Sequence, residues 1–424
     1  MSKNRISHFL LVGHEGSHNR GCEALVRSSV LILREQFPNC RITLASMHPD
    51  HDGSLADVEN LEIIPGICHI PYAYKEYALE KKARKGIPSS FNGFFTRKLD
   101  QIRQLLVKIS IKWDIFPSLC PTKPNFDMVL HLREVMLSAD AVIIIGGDLF
   151  IEDWGIPEYP LQVAGFAQHL GCKTVLWGAS IWPIKNKYIQ NRVAAVLSRC
   201  DILTLRDATS IEYLQTLNIT NNVFRVADGA FLMDKQSTAR TPVKWHTPPS
   251  LIIGFNGSYV FQNFLTPSLC KSVIIELTKF IQYCIDTRNA GIVLIPHDYE
   301  PGANERDFLW EINSFINRPG RVFFPPIGLS APETKAVISQ CDLCITMRFH
   351  ASIASLSQGI PTLGIAYSPK FEGLFDCQFF VEIDPQTRRV QHWETGSLQS
   401  RRHGKQVSVK VFGFASRRDA HLKP

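Results

Sequence analysis

Long hydrophobic runs are missing from this chain of 424 residues. No apolar stretch approaches the roughly 20 residues that a membrane-spanning helix needs. The apolar run nearest the amino terminus, Phe9–Val12, has only four residues, which is too short for the core of a signal peptide. We therefore expect a cytoplasmic protein.

The cysteines do not form a disulfide or zinc pattern. All but Cys341 and Cys344 of the 11 cysteines lie singly, most of them in apolar sequence. One CxxC without a second pair of ligands is a weak signal for zinc. We predict no metal and no cofactor, and we interpret the cysteines as small buried hydrophobic residues in a reducing compartment.

The positive charge is concentrated in two segments. The net charge is +7, but residues 71–115 carry ten Lys or Arg against four Asp or Glu, and residues 388–424 carry nine against two. The remainder is mildly acidic, unlike a uniformly basic nucleic-acid-binding body, so we predict no nucleic-acid partner. The amphipathic stretch Arg97–Lys108 fits either a surface helix or an interfacial helix that touches an anionic membrane.

Short apolar runs alternate with amphipathic stretches along most of the chain. One series extends from Phe9–Val12 to Asn222–Val226, and a second extends from Leu251–Phe255 to Thr362–Ile365. Strands separated by helical patterns are typical of a doubly wound α/β sheet. The predicted fold class is therefore α/β, with two Rossmann-like domains that face one cleft.

A break rich in Thr, Pro, Ser and Lys near residues 235–250 separates the two series. The predicted amino-terminal domain is 1–235, with a basic insertion at about 71–122, and the predicted carboxy-terminal domain is 250–390. Residues 391–424 lose hydrophobic periodicity, and we expect this basic tail to be poorly ordered.

The segment Gly13–Ala24 joins the first predicted strand to the first predicted helix. It contains Asn19, Gly21 and Glu23, and it does not match the GxGxxG fingerprint of a dinucleotide site. Glycine lets the backbone approach a ligand closely, and the helix that follows presents N–H groups to anions. We treat these residues as candidates for substrate binding, with an Asn-capped turn as the alternative.

Gly146, Gly147 and Asp148 follow the apolar run Ala141–Ile145. Ligands of open α/β sheets bind at the carboxyl ends of the strands. Asp148 is therefore a candidate for binding sugar hydroxyls or for acting as a base. The alternative is a tight turn in which Asp148 caps the next helix.

Two arginine motifs are the main candidates for chemistry. Arg206 follows one predicted strand, with Asp207 beside it as a candidate to orient it, and Arg348 and His350 follow another. A guanidinium matches phosphate and carboxylate groups with paired hydrogen bonds, and a histidine exchanges a proton near neutral pH. The structural alternatives are an Arg–Asp pair near the surface and a satisfied structural histidine.

Two further side chains follow strands of the second series. His297 comes after the run Ile292–Ile295, and Lys370 comes after the run Thr362–Ile365. Side chains at this edge of a sheet reach the same ligand, so we treat both as secondary candidates for substrate binding.

Together these motifs resemble the polysaccharide pyruvyl transferase family in their order and spacing. The matching segments are Asn19–Leu25, Ile144–Asp148, Leu205–Asp207 with Ser210, Val226–Phe231, Met347–His350, Gly359–Pro361 and Tyr367–Lys370. Each motif is loose by itself, but the set spans nearly the whole predicted fold.

Membership in that family implies two Rossmann-like domains arranged as in GT-B glycosyltransferases. It implies phosphoenolpyruvate as the donor substrate and a saccharide diol of a surface polysaccharide as the acceptor, with a cyclic pyruvate ketal as the product. It also implies that Arg206, Arg348 and His350 bind the donor and catalyse the transfer. Whether the acceptor is lipid-linked, and whether the protein contacts the inner face of the membrane, stay open at this point.

Two other functions stay open at the level of the sequence. One is a glycosyltransferase of the GT-B type that uses a nucleotide sugar, and the other is a non-catalytic saccharide-binding member of the same family. Paired arginines with a histidine favour a small dianion over a nucleotide, because a nucleotide needs a pocket for its base.

Overall fold

A computed structural model gives the fold of the chain. It describes residues 7–66, 123–150, 158–235, 242–258, 267–300, 304–366, 382–383, 390–392, 397–402 and 405–412. The predicted basic insertion at 71–122 and Lys370 lie outside the described residues.

The chain divides into two compact units. The first comprises Met1–Gly16 and Ser29–Asp228, and the second comprises Ser17–Ser28 and Gly229–Pro424. A division of the sequence near residues 235–250 does not anticipate that residues 17–28 group with the second unit. They do so because the apolar side chains of this segment pack against Ala230, Phe349 and other residues of that unit.

The first unit is built on a parallel sheet. Its strands are β1 (His8–His14), β2 (Arg41–Ser46), β3 (Leu61–Pro65), β4 (Ala141–Ile145), β5 (Thr174–Ala179), β6 (Ile202–Leu205) and β7 (Val223–Arg225). They lie in the order β3-β2-β1-β4-β5-β6-β7, which is the Rossmann order extended by one strand. Nearly every residue of β1 and β4 is buried, as expected for strands covered on both faces.

Helices and one 3-10 segment connect these strands. They are α1 (Arg20–Gln36), the 3-10 segment Pro49–Leu55, α2 (Lys123–Ser138), α3 (Glu158–His169), α4 (Lys187–Leu197) and α5 (Ala208–Thr216). Polar side chains fix where two of these helices begin. Asn186 accepts hydrogen bonds from backbone N–H groups of α4, and Asp207 accepts one from α5.

The second unit repeats this plan. Its strands are β8 (Leu251–Asn256), β9 (Ala290–Leu294), β10 (Val322–Phe323), β11 (Leu343–Thr346), β12 (Thr362–Ala366), β13 (Glu382–Ile383), β14 (Val390–His392), β15 (Ser397–Arg402) and β16 (Lys405–Phe412). The main sheet has the order β10-β9-β8-β11-β12-β16-β15, and β13 pairs with β14 separately. The strands from β8 to β12 are parallel, whereas β16 is antiparallel to β12 and β15.

The helices of the second unit cover this sheet. They are the 3-10 segment Gly229–Leu232, α6 (Pro267–Arg288), α7 (Glu305–Phe315), α8 (Ala331–Ile338) and α9 (Phe349–Leu356). Strands and helices alternate in both units, so the predicted α/β class with two Rossmann-like units is confirmed.

Strands β15 and β16 lie in the tail that the sequence led us to expect as poorly ordered. In β16 the residues Val407, Val409 and Val411 alternate with polar ones, which is the period of a strand. The expectation of poor order rests on the excess of positive charge in this segment, which masks the short alternating pattern of β16.

Each unit buries its own hydrophobic core. In the first, Ile144 of β4 and Phe166 of α3 belong to one cluster, and in the second Phe255 of β8 packs in a cluster with Phe308 of α7. Removal of this apolar surface from water drives the folding of each unit. Among the described residues, no helix is long and apolar enough to cross a membrane.

Candidate functional site

Polar side chains collect where the strand order of the second sheet reverses, between β8 and β11. In open α/β sheets, ligands bind beyond the carboxyl ends of the strands at such a point. Strand β8 ends at Asn256, strand β9 is followed by His297, and strand β11 is followed by Arg348 and His350. The second unit therefore carries a candidate site of its own.

Arg348 is held by two carboxylates and remains partly accessible. Its Nε donates to Glu305, its Nη2 donates to Oδ2 of Asp298 at 3.1 Å, and its side chain is 18% exposed. Its backbone N–H donates to Oδ1 of Asn256 at 3.0 Å. The guanidinium thus has a fixed direction at the start of α9.

Glu305 organises the floor of this site. The residue is fully buried at the first position of α7, and its Oε2 accepts from Nδ2 of Asn256 at 2.8 Å and from the backbone N–H of His297 at 2.7 Å. Burial raises the pKa of the Glu305 carboxyl, and the positive charge of Arg348 opposes this shift. The Glu305 side chain therefore contacts three residues that lie at or just beyond the ends of three different strands.

Asn19 caps a helix and ties the loop before it to the site. Its Oδ1 accepts from the backbone N–H groups of Gly21 at 2.9 Å and Cys22 at 3.3 Å, at the start of α1. Its Nδ2 donates to Oδ2 of Asp298 at 3.2 Å. Gly21 lies directly against the imidazole of His350.

Arg20 is a buried cation next to these groups. Its backbone N–H donates to the carbonyl of His297 at 2.9 Å, and its Nη1 donates to Oε2 of Glu23 at 2.9 Å and to the carbonyl of Ser17 at 2.5 Å. The guanidinium also lies over the ring of Tyr299, 5.0 Å from its centroid. Burial raises the pKa of the Tyr299 hydroxyl to about 12, so this hydroxyl stays neutral.

His297 is a buried imidazole surrounded by positive charge. The residue is 5% exposed, and its Nδ1 has no hydrogen-bond partner among the described residues. Burial, and then the charges of His350, Arg348 and Arg20, hold its pKa well below the usual value. The ring is therefore neutral at physiological pH.

Glu23 has a structural environment. The residue is fully buried, and its carboxylate accepts from Arg20, from Nε of Arg27 at 2.9 Å and from the backbone N–H of Ala331 at 2.9 Å. These contacts join α1 to the start of α8 within the second unit. The predicted binding of substrate by Glu23 stays a prediction.

A second cluster of predicted residues lies in the first unit, where β4, β5, β6 and β7 end. Nε of Arg206 donates to Oγ of Ser180 at 2.8 Å, Nη1 to Oδ2 of Asp228 at 2.7 Å, and Nη2 to Oδ1 of Asp148 at 2.6 Å. The side chain of Arg206 is 2% exposed, whereas that of Asp148 is 26% exposed. Asp148 is therefore the accessible member of this cluster.

The glycines and Asp207 have separate roles around Arg206. A Cβ on Gly147 would lie 2.7 Å from Nη2 and 2.8 Å from Cζ of Arg206, and Gly146 has a φ of 142°, a region that favours glycine. Asp207 caps α5 by accepting from the N–H of Ser210 at 2.8 Å. The sequence suggests that Asp207 orients Arg206, but the side chain of Arg206 is held by hydrogen bonds to Ser180, Asp148 and Asp228.

The predicted site residues thus fall into two groups. The second unit brings together Asn19, Gly21, Glu23, His297, Arg348 and His350, and the first brings together Gly146, Gly147, Asp148, Arg206 and Asp207. Sequence reasoning did not select Arg20, Ser180, Asp228, Asn256 and Glu305. Arg20 and Asp228 stand inside recognisable motifs, whereas Ser180, Asn256 and Glu305 are single polar residues without a local signal.

The cysteine pair of the second unit belongs to the hydrophobic interior. Cys341 and Cys344 are both buried. A hydrogen bond with Cys341, together with burial, raises the pKa of the Cys344 thiol well above its usual value, and a reactive cysteine needs the opposite shift. Among the described residues, no group of three or more His, Cys, Asp or Glu side chains is placed to hold a metal ion.

Comparison with known proteins gives a family match over most of the chain. The model of the family described as "Polysaccharide pyruvyl transferase" matches residues 19–369. The chain is 22% identical over 389 residues to the amylovoran biosynthesis protein AmsJ of Erwinia amylovora, a match that covers 86% of this chain and 84% of that protein.

Two solved structures that align with most of this chain are described as UDP-N-acetylglucosamine 2-epimerases. A putative UDP-N-acetylglucosamine 2-epimerase from Listeria monocytogenes aligns with a TM-score of 0.48 at 11% identity, over 85% of this chain and 79% of that one. The UDP-GlcNAc 2-epimerase from Neisseria meningitidis, bound to UDP-GlcNAc, aligns with a TM-score of 0.49 at 9% identity, over 85% and 82%.

Proposed function

Because this chain belongs to the polysaccharide pyruvyl transferase family, we propose that it transfers a pyruvyl group from phosphoenolpyruvate to a sugar diol of a surface polysaccharide or its precursor. The product is a cyclic pyruvate ketal. The similarity to an amylovoran biosynthesis protein supports a role in the assembly of an exopolysaccharide. We further propose that the transfer occurs in the cytoplasm.

The observation that carries this proposal is the arrangement of Arg348 and His350 at the start of α9. Arg348 occupies the N-cap position, where Ser, Thr, Asp or Asn usually supplies an acceptor. A guanidinium has no acceptor atom, so this helix start combines a cation with the positive end of the helix dipole. Such a place favours an anion, and the phosphate of phosphoenolpyruvate fits it.

His350 supplies the proton chemistry of the proposed reaction. Protonation of C3 of the enol makes C2 electrophilic, and one sugar hydroxyl attacks C2. The C2–O bond to phosphate then breaks as the second hydroxyl attacks the same carbon. Of the two hydroxyl protons, one ends on C3 as part of the new methyl group and the other on the phosphate. An imidazole can deliver and accept these protons, and the cation Arg348 stabilises the leaving phosphate.

In the first unit, Asp148 is the proposed partner of the acceptor hydroxyls. A carboxylate accepts hydrogen bonds from two hydroxyl groups of a sugar, and Asp148 combines exposure with a fixed direction. Arg206 is buried behind it, so we infer that Arg206 positions Asp148. The contact between Arg206 and the donor that the family resemblance implies stays a prediction.

Binding of the donor is the first test. The thermal unfolding midpoint is measured with and without millimolar phosphoenolpyruvate for the parent chain, Arg348→Ala and a control, Arg318→Ala. Arg318 lies in the same unit and makes a two-pronged ion pair with Asp286 at the surface, so its removal leaves the site intact. A ligand at 100 times its dissociation constant stabilises the folded chain by about 2.7 kcal/mol.

A shift in the parent and in Arg318→Ala that disappears in Arg348→Ala supports the donor site. Turnover is then measured as phosphate release in the presence of saccharides that carry a diol. If phosphoenolpyruvate stabilises none of the three chains and no saccharide elicits phosphate release, the proposed function is wrong.

A further inference from the structure

Two buried nitrogen atoms next to the proposed donor site have no hydrogen-bond partner among the described residues. One is Nε of Arg20 and the other is Nδ1 of His297. The two residues are 6% and 5% exposed, and the backbone N–H of Arg20 donates to the carbonyl of His297 at 2.9 Å. Buried polar groups are hydrogen-bonded in nearly all native proteins, so these two nitrogens, on residues joined by a backbone hydrogen bond, are candidates to contact a ligand.

We propose that Arg20 and His297 form a subsite for the carboxylate of the donor, distinct from the phosphate position at Arg348 and His350. This inference rests on the proposed function. One carboxylate oxygen accepts from Nε of Arg20, and the other accepts from the protonated Nδ1 of the neutral His297 ring. Both buried nitrogens then have a hydrogen-bond acceptor.

The charges around His297 favour an anion at this place. Its imidazole lies within the electrostatic influence of Arg20, Arg348 and His350, all of which disfavour a proton on the ring. The carboxylate of Glu305 accepts a hydrogen bond from the backbone N–H of His297 and not from its imidazole. An anionic ligand therefore meets three positive or protonatable groups and a neutral donor.

The contact between Arg20 and Tyr299 leaves this subsite available. Tyr299 lies against the face of the guanidinium, with its centroid 5.0 Å from Cζ. Hydrogen bonds leave a guanidinium within its plane, so stacking does not satisfy Nε. Glu23 and the carbonyl of Ser17 receive hydrogen bonds from Nη1, which holds the group in place.

A carboxylate fits these two donors better than a phosphate does. Arg20 and His297 each contribute one buried nitrogen without a partner among the described residues, and two donors match the two oxygens of a planar carboxylate. A phosphate monoester presents three oxygens and more charge, and we assign it to the start of α9, where the helix N-terminus favours anions. Phosphoenolpyruvate carries one group of each kind.

Variants of His297 test the subsite in the full chain. Dissociation constants are measured by calorimetry for phosphoenolpyruvate, pyruvate and inorganic phosphate with the parent, His297→Phe and His297→Asn. Phenylalanine keeps the ring and removes the donor, whereas the amide of asparagine replaces Nδ1. His8→Phe is the matched control, because His8 is also buried but its ring nitrogens pair with Thr43 at 2.9 Å and Ser138 at 3.2 Å.

We expect His297→Phe to weaken binding of phosphoenolpyruvate and pyruvate by about 10- to 100-fold, the usual effect of losing a hydrogen bond to a charged group. Binding of inorganic phosphate stays as in the parent. His297→Asn recovers most of the affinity, and His8→Phe lowers the unfolding midpoint without changing any dissociation constant. Arg20→Gln, if it folds, has the same effect on the three ligands as His297→Phe.

Two results would overturn the subsite. One is unchanged binding of phosphoenolpyruvate by His297→Phe, and the other is an equal loss for phosphoenolpyruvate and inorganic phosphate. Failure of the proposed function looks different: pyruvate then binds with the same dependence on His297, but phosphoenolpyruvate binds no more tightly than pyruvate and no saccharide elicits phosphate release.

Discussion

Gly21 and His350 approach each other so closely that no side chain fits between them. A Cβ added to Gly21 would lie 2.6 Å from Cγ and 2.9 Å from Cβ of His350. Real Cβ atoms do not approach other atoms this closely, so the position of the imidazole depends on glycine at residue 21. The motif at the start of α1 therefore contributes to the site through its lack of a side chain.

We expect the substitution Gly21→Ala to lower turnover much more than it lowers the free energy of unfolding. Gly21→Ala moves the imidazole of His350, and a displacement of about 1 Å in a catalytic group lowers turnover by about 100-fold. Alanine is about 1 kcal/mol more favourable than glycine within a helix, which partly offsets the clash in the free energy of unfolding. Phosphate release and the unfolding midpoint are measured together. Gly53→Ala is the control, because a Cβ there meets no atom within 4 Å; equal turnover in the two variants would contradict the prediction.

Removal of the His350 imidazole reports on proton transfer. His350→Ala lowers turnover by about 10²- to 10⁴-fold, the usual contribution of a general acid or base. Arg348 remains in place, so phosphoenolpyruvate still raises the unfolding midpoint. His246→Ala, at an exposed histidine of the same unit, retains parental turnover. Near-full turnover in His350→Ala would rule out the proposed role in proton transfer.

Asp148 is the residue through which we expect the acceptor to be recognised. Asp148→Asn removes the charge but keeps the shape, and it leaves Asp228 as the partner of Arg206. The Michaelis constant for the saccharide rises by about 10-fold or more, since a hydrogen bond to a charged group is lost, and the affinity for phosphoenolpyruvate is unchanged. Asp201→Asn, at a carboxylate that pairs with Lys173 near the surface, has no effect on either constant. A selective loss of donor affinity in Asp148→Asn would argue against a role in acceptor binding.

Because His297 is neutral in the folded chain, the free energy of unfolding depends on pH. Burial, and then the electrostatic influence of His350, Arg348 and Arg20, hold its pKa well below 6.5 in the folded chain. Below about pH 6.5 the unfolded chain binds a proton at His297, whereas the folded chain does not. The contribution of neutral His297 to the free energy of unfolding is therefore complete above that pH. It is lost as the pH falls towards the pKa of the folded state. The slope for one such group reaches about 1.4 kcal/mol per pH unit.

We therefore expect the unfolding midpoint to fall more steeply between pH 7 and pH 5 in the parent than in His297→Phe. Midpoints measured across this range in both chains give the difference directly, because the contributions of the other histidines cancel. Parallel curves would mean that His297 is protonated in the folded chain or does not change its pKa on folding.

Much of the fold is readable from the sequence because its signals are local. The buried apolar runs of β4 and β11 and the polar residues that follow them depend on neighbours within a few positions, and so does the capping of α1 by Asn19. Arg348 and His350 are predictable for the same reason, since a strand end in a parallel sheet places its following residues at the ligand-binding edge. Strands β15 and β16 of the basic tail are not predicted from the sequence, because the excess of positive charge masks the alternating pattern of β16.

The partners of these residues depend on the tertiary structure. Glu305 holds Arg348 across 43 positions of the sequence, and Asp298 receives the amide of Asn19 across 279. Arg206 is oriented by Asp148 and Asp228 instead of the adjacent Asp207, because a residue at a helix N-cap turns its side chain back towards its own helix.

The sequence by itself determined the α/β plan, the two sheets and the motifs that follow their strands, because periodicity and strand-end chemistry are properties of short segments. Only the tertiary structure decided that the first turns of α1 group with the second unit, that Arg206 is buried while Asp148 is exposed, and that Arg20 and His297 are neighbours. Those features follow from packing between segments that lie far apart in the chain, and no local pattern specifies which distant carboxylate, carbonyl or ring a given side chain meets.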